Sequence, residues 1–272
     1  MDSTNALCLF PGLGTSLLAI KKMGISLVGV LGTIETIASI RKNFSCDKCF
    51  TEEQKMSVPR HNLLIASPRT EREWEVVECV VFLAHPRSIV IDFYGKHPTW
   101  VRKYCYPFVE TFSFQDVGLP YNKKYSYLVG TRKDLTTKYT FDFPYFKGSG
   151  DACLEGFLDN DGSFLRENFE QKALEYNKKA TERGYRFKKK ILTPKDALPA
   201  LTAKYCKDRS EVSIRLEGGI RYFKPIELAK IMGFPKSYVL PDNECLANRL
   251  LADASSPEIL RQIVEEVLPW MP

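Results

Sequence analysis

Apolar residues along this chain fall into short continuous blocks separated by longer mixed stretches, and the two alternate. "ALCLF", "SLVGVLG", "NLLIA", "SIVIDFY" and "YSYLVGT" are runs of the length and composition of buried strands. Between them "TSLLAIKKMG", the segment from Thr33 to Asn43, and "EREWEVVECVVFLA" mix polar and apolar positions as helices do, and a further helix is predicted around "WVRKYCYPFVETF". Thr15 is placed to cap the first helix and Gly24 to end it. Strands separated by helices of ordinary length imply a mostly parallel, doubly wound α/β sheet. The opening unit of strand, "PGLGT" turn, helix and strand has the form of a nucleotide-binding fold.

After "TRKD" the texture changes. Residues 135–218 are aromatic, basic and turn-rich, with "FDFPYFKGSGDA" and "NKKATERGYRFKKKILTP", and show no repeating strand and helix pattern. Helical character returns in "FKPIELAKIMGF", with Pro225 in the first turn and Gly233 as the stop. It returns again in "SSPEILRQIVEEVL", with Ser256 as the cap and Pro257 as the first helical residue. The expected organisation is an α/β domain over 1–134, a small inserted domain over 135–218, and a return to the first domain over 219–272.

Composition narrows the classes. A chain of 272 residues with 44% hydrophobic content can bury a substantial core. Its longest apolar runs, such as "ECVVFLA", are too short to span a bilayer. No signal peptide, transit segment or anchor is read from "MDSTNALCLF", and no membrane partner is expected. Eight cysteines scattered through the predicted strands and helices suit a reducing compartment, so nucleus or cytoplasm is expected. Cys46 and Cys49 have zinc-ligand spacing, but no second pair follows and His61 sits off-pattern, so no metal is expected. The net charge of +6 permits a polyanionic partner without requiring one.

Three stretches, in order, resemble the cytosine-5 methyltransferase superfamily, and the last is most similar to its transfer-RNA-methylating branch. "LFPGLGTSLLAIKKMG" resembles the family's cofactor loop, "VGLPYNKKYSYLVGTRKDL" its Gly-x-Pro-Gln-x-Arg-x-Arg strand, and "IRYFKPIELAKIMGFPKSYVLP" its segment of arginine, aromatic pair, proline, glutamate and Gly-Phe-Pro. "ALPALTAKY" looks like the Thr-Leu-Thr stretch of the family's recognition region. The resemblance runs from about residue 7 to residue 268. It implies a Rossmann-like class I methyltransferase fold with an inserted recognition-type domain.

The catalytic positions depart from that pattern. "LLIASPRTE" falls on the family's Ser/Gly-Pro-Pro-Cys-Gln segment, so Thr70 stands where the resemblance places the nucleophilic cysteine and Arg69 where it places the second proline. A threonine hydroxyl needs an adjacent base to become a nucleophile, and none is evident. Thr70 with Glu73 instead forms a capping-box pattern. The family's Glu-Asn-Val motif aligns with Ile91, Asp92 and Phe93, which puts an aliphatic side chain at the proton donor's position. Tyr121, Lys123 and Tyr125 stand at the glutamine and the two arginines. The segment between Thr70 and Ile91 is too short for the family's mobile loop. Asp92 and Asp253 read as helix-terminus partners rather than as a new acid-base pair.

The cofactor loop keeps Phe10, Gly12 and Gly14, but Cys8 replaces its aspartate, and the ribose carboxylate aligns with Gly32, leaving Glu35 as the nearest substitute. No cofactor is therefore expected, S-adenosylmethionine being the one the fold would take. The expected function is that of a catalytically inactive homologue acting as a nucleic-acid-binding or scaffold subunit. The alternatives are a divergent active enzyme using Cys79 or Cys105, and a structural partner of an active paralogue. Candidate nucleic-acid contacts are Tyr185, Arg186, Phe187, Lys188, Lys189 and Lys190, extended by Lys123 and Lys124.

Overall fold

The computed structural model describes residues 4–21, 23–46, 48–51, 58–135, 141–146, 152–159, 161–185 and 188–270. In chain order the elements are β1 (Asn5–Leu9), α1 (Thr15–Ile20), β2 (Ser26–Gly32), α2 (Ile34–Asn43), β3 (Cys49–Thr51), β4 (Leu63–Ala66), α3 (Glu71–Ala84) and β5 (Ser88–Phe93). There follow α4 (Trp100–Tyr104), β6 (Cys105–Ser113), β7 (Tyr121–Asn122), β8 (Lys124–Arg132), α5 (Phe169–Glu182), β9 (Lys190–Leu192) and β10 (Leu198–Pro199). The chain ends with β11 (Val212–Leu216), β12 (Gly219–Tyr222), α6 (Pro225–Ile231), α7 (Glu244–Asp253) and α8 (Pro257–Val267).

The chain divides into two compact units, one of residues 1–113, 124–146 and 254–272, the other of 114–123 and 147–253. The first contains a seven-stranded sheet in the order β3-β2-β1-β4-β5-β8-β6. Strands β3 to β5 are parallel, and β8 runs antiparallel between β5 and β6. The continuous apolar runs form the central strands because both faces of a parallel sheet are covered by helices. Leu7, Leu9, Leu64, Ile89, Ile91 and Leu128 pack with Val77, Val80 and Val81 of α3 in one core. The amphipathic α8 lies on α1 and buries Ile259, Leu260, Ile263 and Val264.

The second unit holds a parallel pair of β7 with β10 and a three-stranded sheet in the order β12-β11-β9. Its internal anchor is an ion pair buried on both sides. Arg221 Nη1 and Nη2 donate to Glu227 Oε2 and Oε1 at 2.8 and 2.6 Å, and Nη2 also donates to the Asp159 carbonyl at 2.6 Å. Glu227 accepts in addition from the backbone N–H groups of Lys224 and Asp159. A carboxylate taken out of water in this way is tolerated because every lone pair is satisfied. The arginine and glutamate of "IRYFKPIELAK" thus hold the start of α6. With α6 and α7 included, this unit extends past the 135–218 range read from sequence texture.

Local expectations fared unevenly. Ser256 Oγ caps α8 and Pro257 is its first residue, as the sequence implies, and Gly233 follows α6 at φ 84°. The cap of α1 is Gly14, at φ 82°, because that turn requires a left-handed residue, and Thr15 is the first helical residue instead. The helix expected through "WVRKYCYPFVETF" stops at Tyr104, and the remainder is β6. Pro107 removes the N–H a helix would need there, while an edge strand bonded on one side only accommodates it. Helix α5 lies in the stretch that showed no regular pattern, since it buries only Ala173 and Ala180.

Candidate functional site

The carboxyl ends of β1, β4 and β5 bring together the glycine turn and the segment Ser67 to Thr70. In the turn, Phe10, Gly12 and Gly14 have φ of 53°, 55° and 82°, and the Phe10 N–H donates to the Leu31 carbonyl at 2.7 Å. A positive φ at a phenylalanine is held only by its surroundings. A side chain on Gly12 would meet nothing within 4 Å, so the backbone there stays open to a ligand.

The acidic set that would hold S-adenosylmethionine does not fit the residues present. Cys8 is fully buried, and burial pushes its thiol up to about 12. A Cβ at Gly32 would come within 2.5 Å of Thr36 Oγ1, so the end of β2 has no room for a ribose-binding carboxylate. Glu35 is exposed in the first turn of α2. The open backbone survives and its charged partners do not.

Thr70 caps α3. Its Oγ1 accepts from the Glu73 N–H at 3.2 Å, while Glu73 Oε2 accepts from the N–H groups of Thr70 at 2.8 Å and Arg69 at 2.5 Å. Sequence spacing alone indicated this capping box. What it did not indicate is where the neighbouring residue goes. Arg69 Nη2 donates to Asp92 Oδ2 at 2.6 Å and Nη1 to the Asp92 carbonyl at 2.9 Å, and Ser67 Oγ donates to Asp92 Oδ1. Asp92 is 0% exposed and the arginine side chain 19%. Burial works against the Arg69 charge, but Asp92 outweighs it and raises the guanidinium above its ordinary value.

Two tyrosines complete the group. The rings of Tyr94 and Tyr125 lie 4.5 Å apart, and the Arg69 guanidinium stands 5.3 and 5.2 Å from their centroids. Tyr125 is therefore in the site, packed on Tyr94, with the guanidinium of Arg69 lying against the pair. Ile91 is in the core, paired with Ala66 on β4 and Leu128 on β8. The acid that β5 presents is its neighbour Asp92, which is a partner of Arg69 and not of a helix terminus. Both oxygens of Asp92 are already occupied as acceptors.

The remaining positions have become scaffold or lie on the surface. Tyr121 is buried, and its hydroxyl accepts from the Leu201 N–H at 3.2 Å. Lys123, expected on a positive surface, is 8% exposed and donates through Nζ to the Ala252 carbonyl, which a buried ammonium needs to offset its desolvation. Lys124 is exposed at the head of β8. In the second unit Lys188 and Lys190 are exposed and Tyr185 is 56% exposed, while Lys189 stands 4.8 Å from the Tyr176 ring of α5. Asn177 fixes that segment to α5 by exchanging hydrogen bonds with the backbone of Lys189 at 2.8 and 2.9 Å. Arg186 and Phe187 lie outside the described residues.

Of the two alternative cysteines, one is buried and the other exposed. Cys105 is buried, its thiol pushed up to about 12 by desolvation, and Cys79 is exposed on α3. Cys46 is likewise pushed up to about 12, by burial and then by Cys49. Among the described residues no cluster of three histidine, cysteine or acidic side chains could hold a metal, and no helix is long and apolar enough to cross a membrane.

Comparison with known proteins agrees with the fold. The family described as C-5 cytosine-specific DNA methylase matches residues 104–268. The chain is 27% identical over 168 residues to the type II methyltransferase M.NlaX of Neisseria lactamica, covering 59% of this chain and 51% of that protein. It is 27% identical over 165 residues to M.DsaV of Dactylococcopsis salina, covering 58% and 46%. The chain thus spans about half the length of the curated relatives it matches. Among solved structures it is similar to the S. pombe Dnmt2 methyltransferase, with a TM-score of 0.71 and 14% identity over 98% of this chain and 99% of that one. The methyltransferase EhMeth of Entamoeba histolytica gives 0.69 and 15%, covering all of both chains.

Proposed function

The chain belongs to the C-5 cytosine-specific DNA methylase family, and we propose that it has given up methyl transfer and works by binding, as a nucleic-acid-binding or scaffold subunit of an RNA- or DNA-associated complex in the nucleus or cytoplasm. The observation that carries this reading is the Arg69–Asp92 pair. The nucleophile's position is spent on capping α3, and the acid at the end of β5 is bonded to Ser67 and Arg69. Catalysis in this family needs a nucleophile and a proton donor facing one base. Here a cation lies across two tyrosine rings beside those positions. The loss of the acidic cofactor set points the same way.

Support for binding comes from the second unit, where Lys188, Lys189 and Lys190 follow the exposed Tyr185 and stand beside α5, which carries exposed Lys172, Lys178 and Lys179. Cations with an aromatic among them suit a single-stranded or structured nucleic acid. The test of the catalytic half is incubation with labelled S-adenosylmethionine and mixed RNA and DNA. No transfer is expected from the wild type or from Thr70→Cys, because catalytic groups that act as a unit are not restored singly. Turnover by either protein would refute the reading and return the chain to the active members of its family. Purification of the endogenous protein before and after nuclease treatment tests the binding half. A particle unchanged by nuclease would favour a purely structural partner of an active paralogue.

A further inference from the structure

The second unit carries a pair of thiols that the proposed function does not use. Cys206 ends a single 3-10 turn, Ala203–Cys206, and Cys245 is the second residue of α7. The turn packs against α7, and there the two sulfurs are in hydrogen-bond contact. Both cysteines are reduced, Cys245 exposed and Cys206 half-buried.

The contact is fixed from both sides. Tyr205 is fully buried and holds the turn down, and Thr202 Oγ1 accepts from the Lys204 N–H at 3.3 Å at its start. Asn243 Oδ1 accepts from the Leu246 N–H at 3.0 Å and sets the first turn of α7. Arg209 joins the two segments, donating from Nη1 to Glu244 Oε2 at 2.7 Å and from Nη2 to the Phe223 carbonyl at 2.7 Å. The arginine just beyond Cys206 is thus bonded to the residue just before Cys245. Thiols placed side by side react as one unit, with no chain search before they meet.

The surroundings give the two sulfurs different tasks. Burial and then Cys245 hold the Cys206 thiol above its ordinary value, against the opposing charges of Lys207 and Arg249. A thiol kept protonated is a slow nucleophile. Cys245 is the exposed partner, so a dissolved oxidant meets it first. Oxidation of Cys245 removes its opposition to the ionisation of Cys206, and the two cations remain. Among the described residues no third histidine, cysteine or acid completes a metal cluster here.

We propose that Cys206 and Cys245 form a reversible disulfide when the protein meets a hydroperoxide, which makes this face of the second unit a site of oxidative modification. The Cys245 thiolate attacks one oxygen of the peroxide, and the O–O bond breaks. Cys245 becomes a sulfenic acid, and the departing hydroxide takes the first thiol proton to leave as water. The Cys206 thiolate then attacks the Cys245 sulfur. The S–S bond forms, the S–O bond breaks, and the second thiol proton leaves in a second water. Two thiols are oxidised and one hydrogen peroxide is reduced. In a reducing compartment the bond is transient, because a dithiol reductant returns it to two thiols.

The test is treatment of the reduced full chain with equimolar hydrogen peroxide, followed by alkylation, tryptic digestion and mass spectrometry. The expected product is the peptide 205–207 joined to the peptide 237–249, lighter than their sum by two hydrogens and released by dithiothreitol. Cys206→Ser should leave Cys245 as a sulfenic acid that dimedone traps, and Cys245→Ser should leave Cys206 a thiol. Cys79→Ser removes an exposed cysteine of the first unit and should leave the cross-link in full. Wild-type Cys245 passing to sulfinic acid while Cys206 stays open to alkylation would overturn the proposal. So would a cross-link that joins either cysteine to a different one. Dimedone trapped on Cys206 in Cys245→Ser would overturn the order of attack.

Discussion

A guanidinium held against a fully buried carboxylate changes what both groups can do. Asp92 cannot leave its place without exposing Arg69 to an apolar strand end, and Arg69 cannot swing away without stranding Asp92. Breaking such a pair from one side costs far more than replacing both partners, because the remaining charge is desolvated without compensation. Arg69→Met is therefore expected to lower unfolding stability by roughly 3 kcal/mol. Arg69→Met combined with Asp92→Asn should recover most of that loss, since Ser67 can still donate to the amide oxygen. Urea denaturation of the two single variants, the double variant and the wild type measures the coupling. Additive losses would mean that the pair is incidental to the fold and that Asp92 is free to act as an acid.

The elements show which features a sequence exposes and which it conceals. β1, β2, β4 and β5 could be read directly because strands covered on both faces are continuously apolar, and the cap of α3 because its partners are three residues apart. The Arg69–Asp92 bond could not, since 23 residues separate them and the register that pairs Ala66 with Ile91 is what sets Ser67 beside Asp92. β6 was hidden by Pro107, and α5 by a face that buries two alanines only. The β6 and β8 pairing offers its own test. Pro107 lies opposite Gly130, and a Cβ at Gly130 would run into Cys105 Sγ, with Cys105 Cβ at 3.1 Å. Gly130→Ala is expected to destabilise by about 2 kcal/mol through overpacking. Adding Cys105→Ala should give back roughly half, because the sulfur is removed and the Cβ contact stays. Thermal unfolding of the three variants decides it, and equal, additive losses would contradict the register.

At the scale of the whole molecule, the net charge of +6 is too modest to bind a polyanion by itself, so affinity must come from a local concentration of cations. In the second unit Lys188 and Lys190 are exposed, and Asn177 ties the backbone between them to α5, which fixes the cations instead of leaving them on a free loop. Pre-placed charges lose less entropy on meeting phosphates. Lys123 belongs to a different class despite its sequence context, because its ammonium is committed to the Ala252 carbonyl. Two variants should then separate cleanly. Glutamate at Lys188, Lys189 and Lys190 should weaken binding to structured RNA and duplex DNA alike, while leaving the melting temperature nearly unchanged, since exposed charges contribute little to stability. Each lost phosphate contact should flatten the log-log salt dependence by about 0.7 on single strands. Lys123→Met should do the reverse, lowering the melting temperature while leaving the salt slope as it was. Salt titrations of both variants against the wild type read the two effects on one protein preparation. Equal affinities and slopes for the triple variant and the wild type would make "YRFKKK" a solvated face, and would assign the binding function to a polypeptide partner.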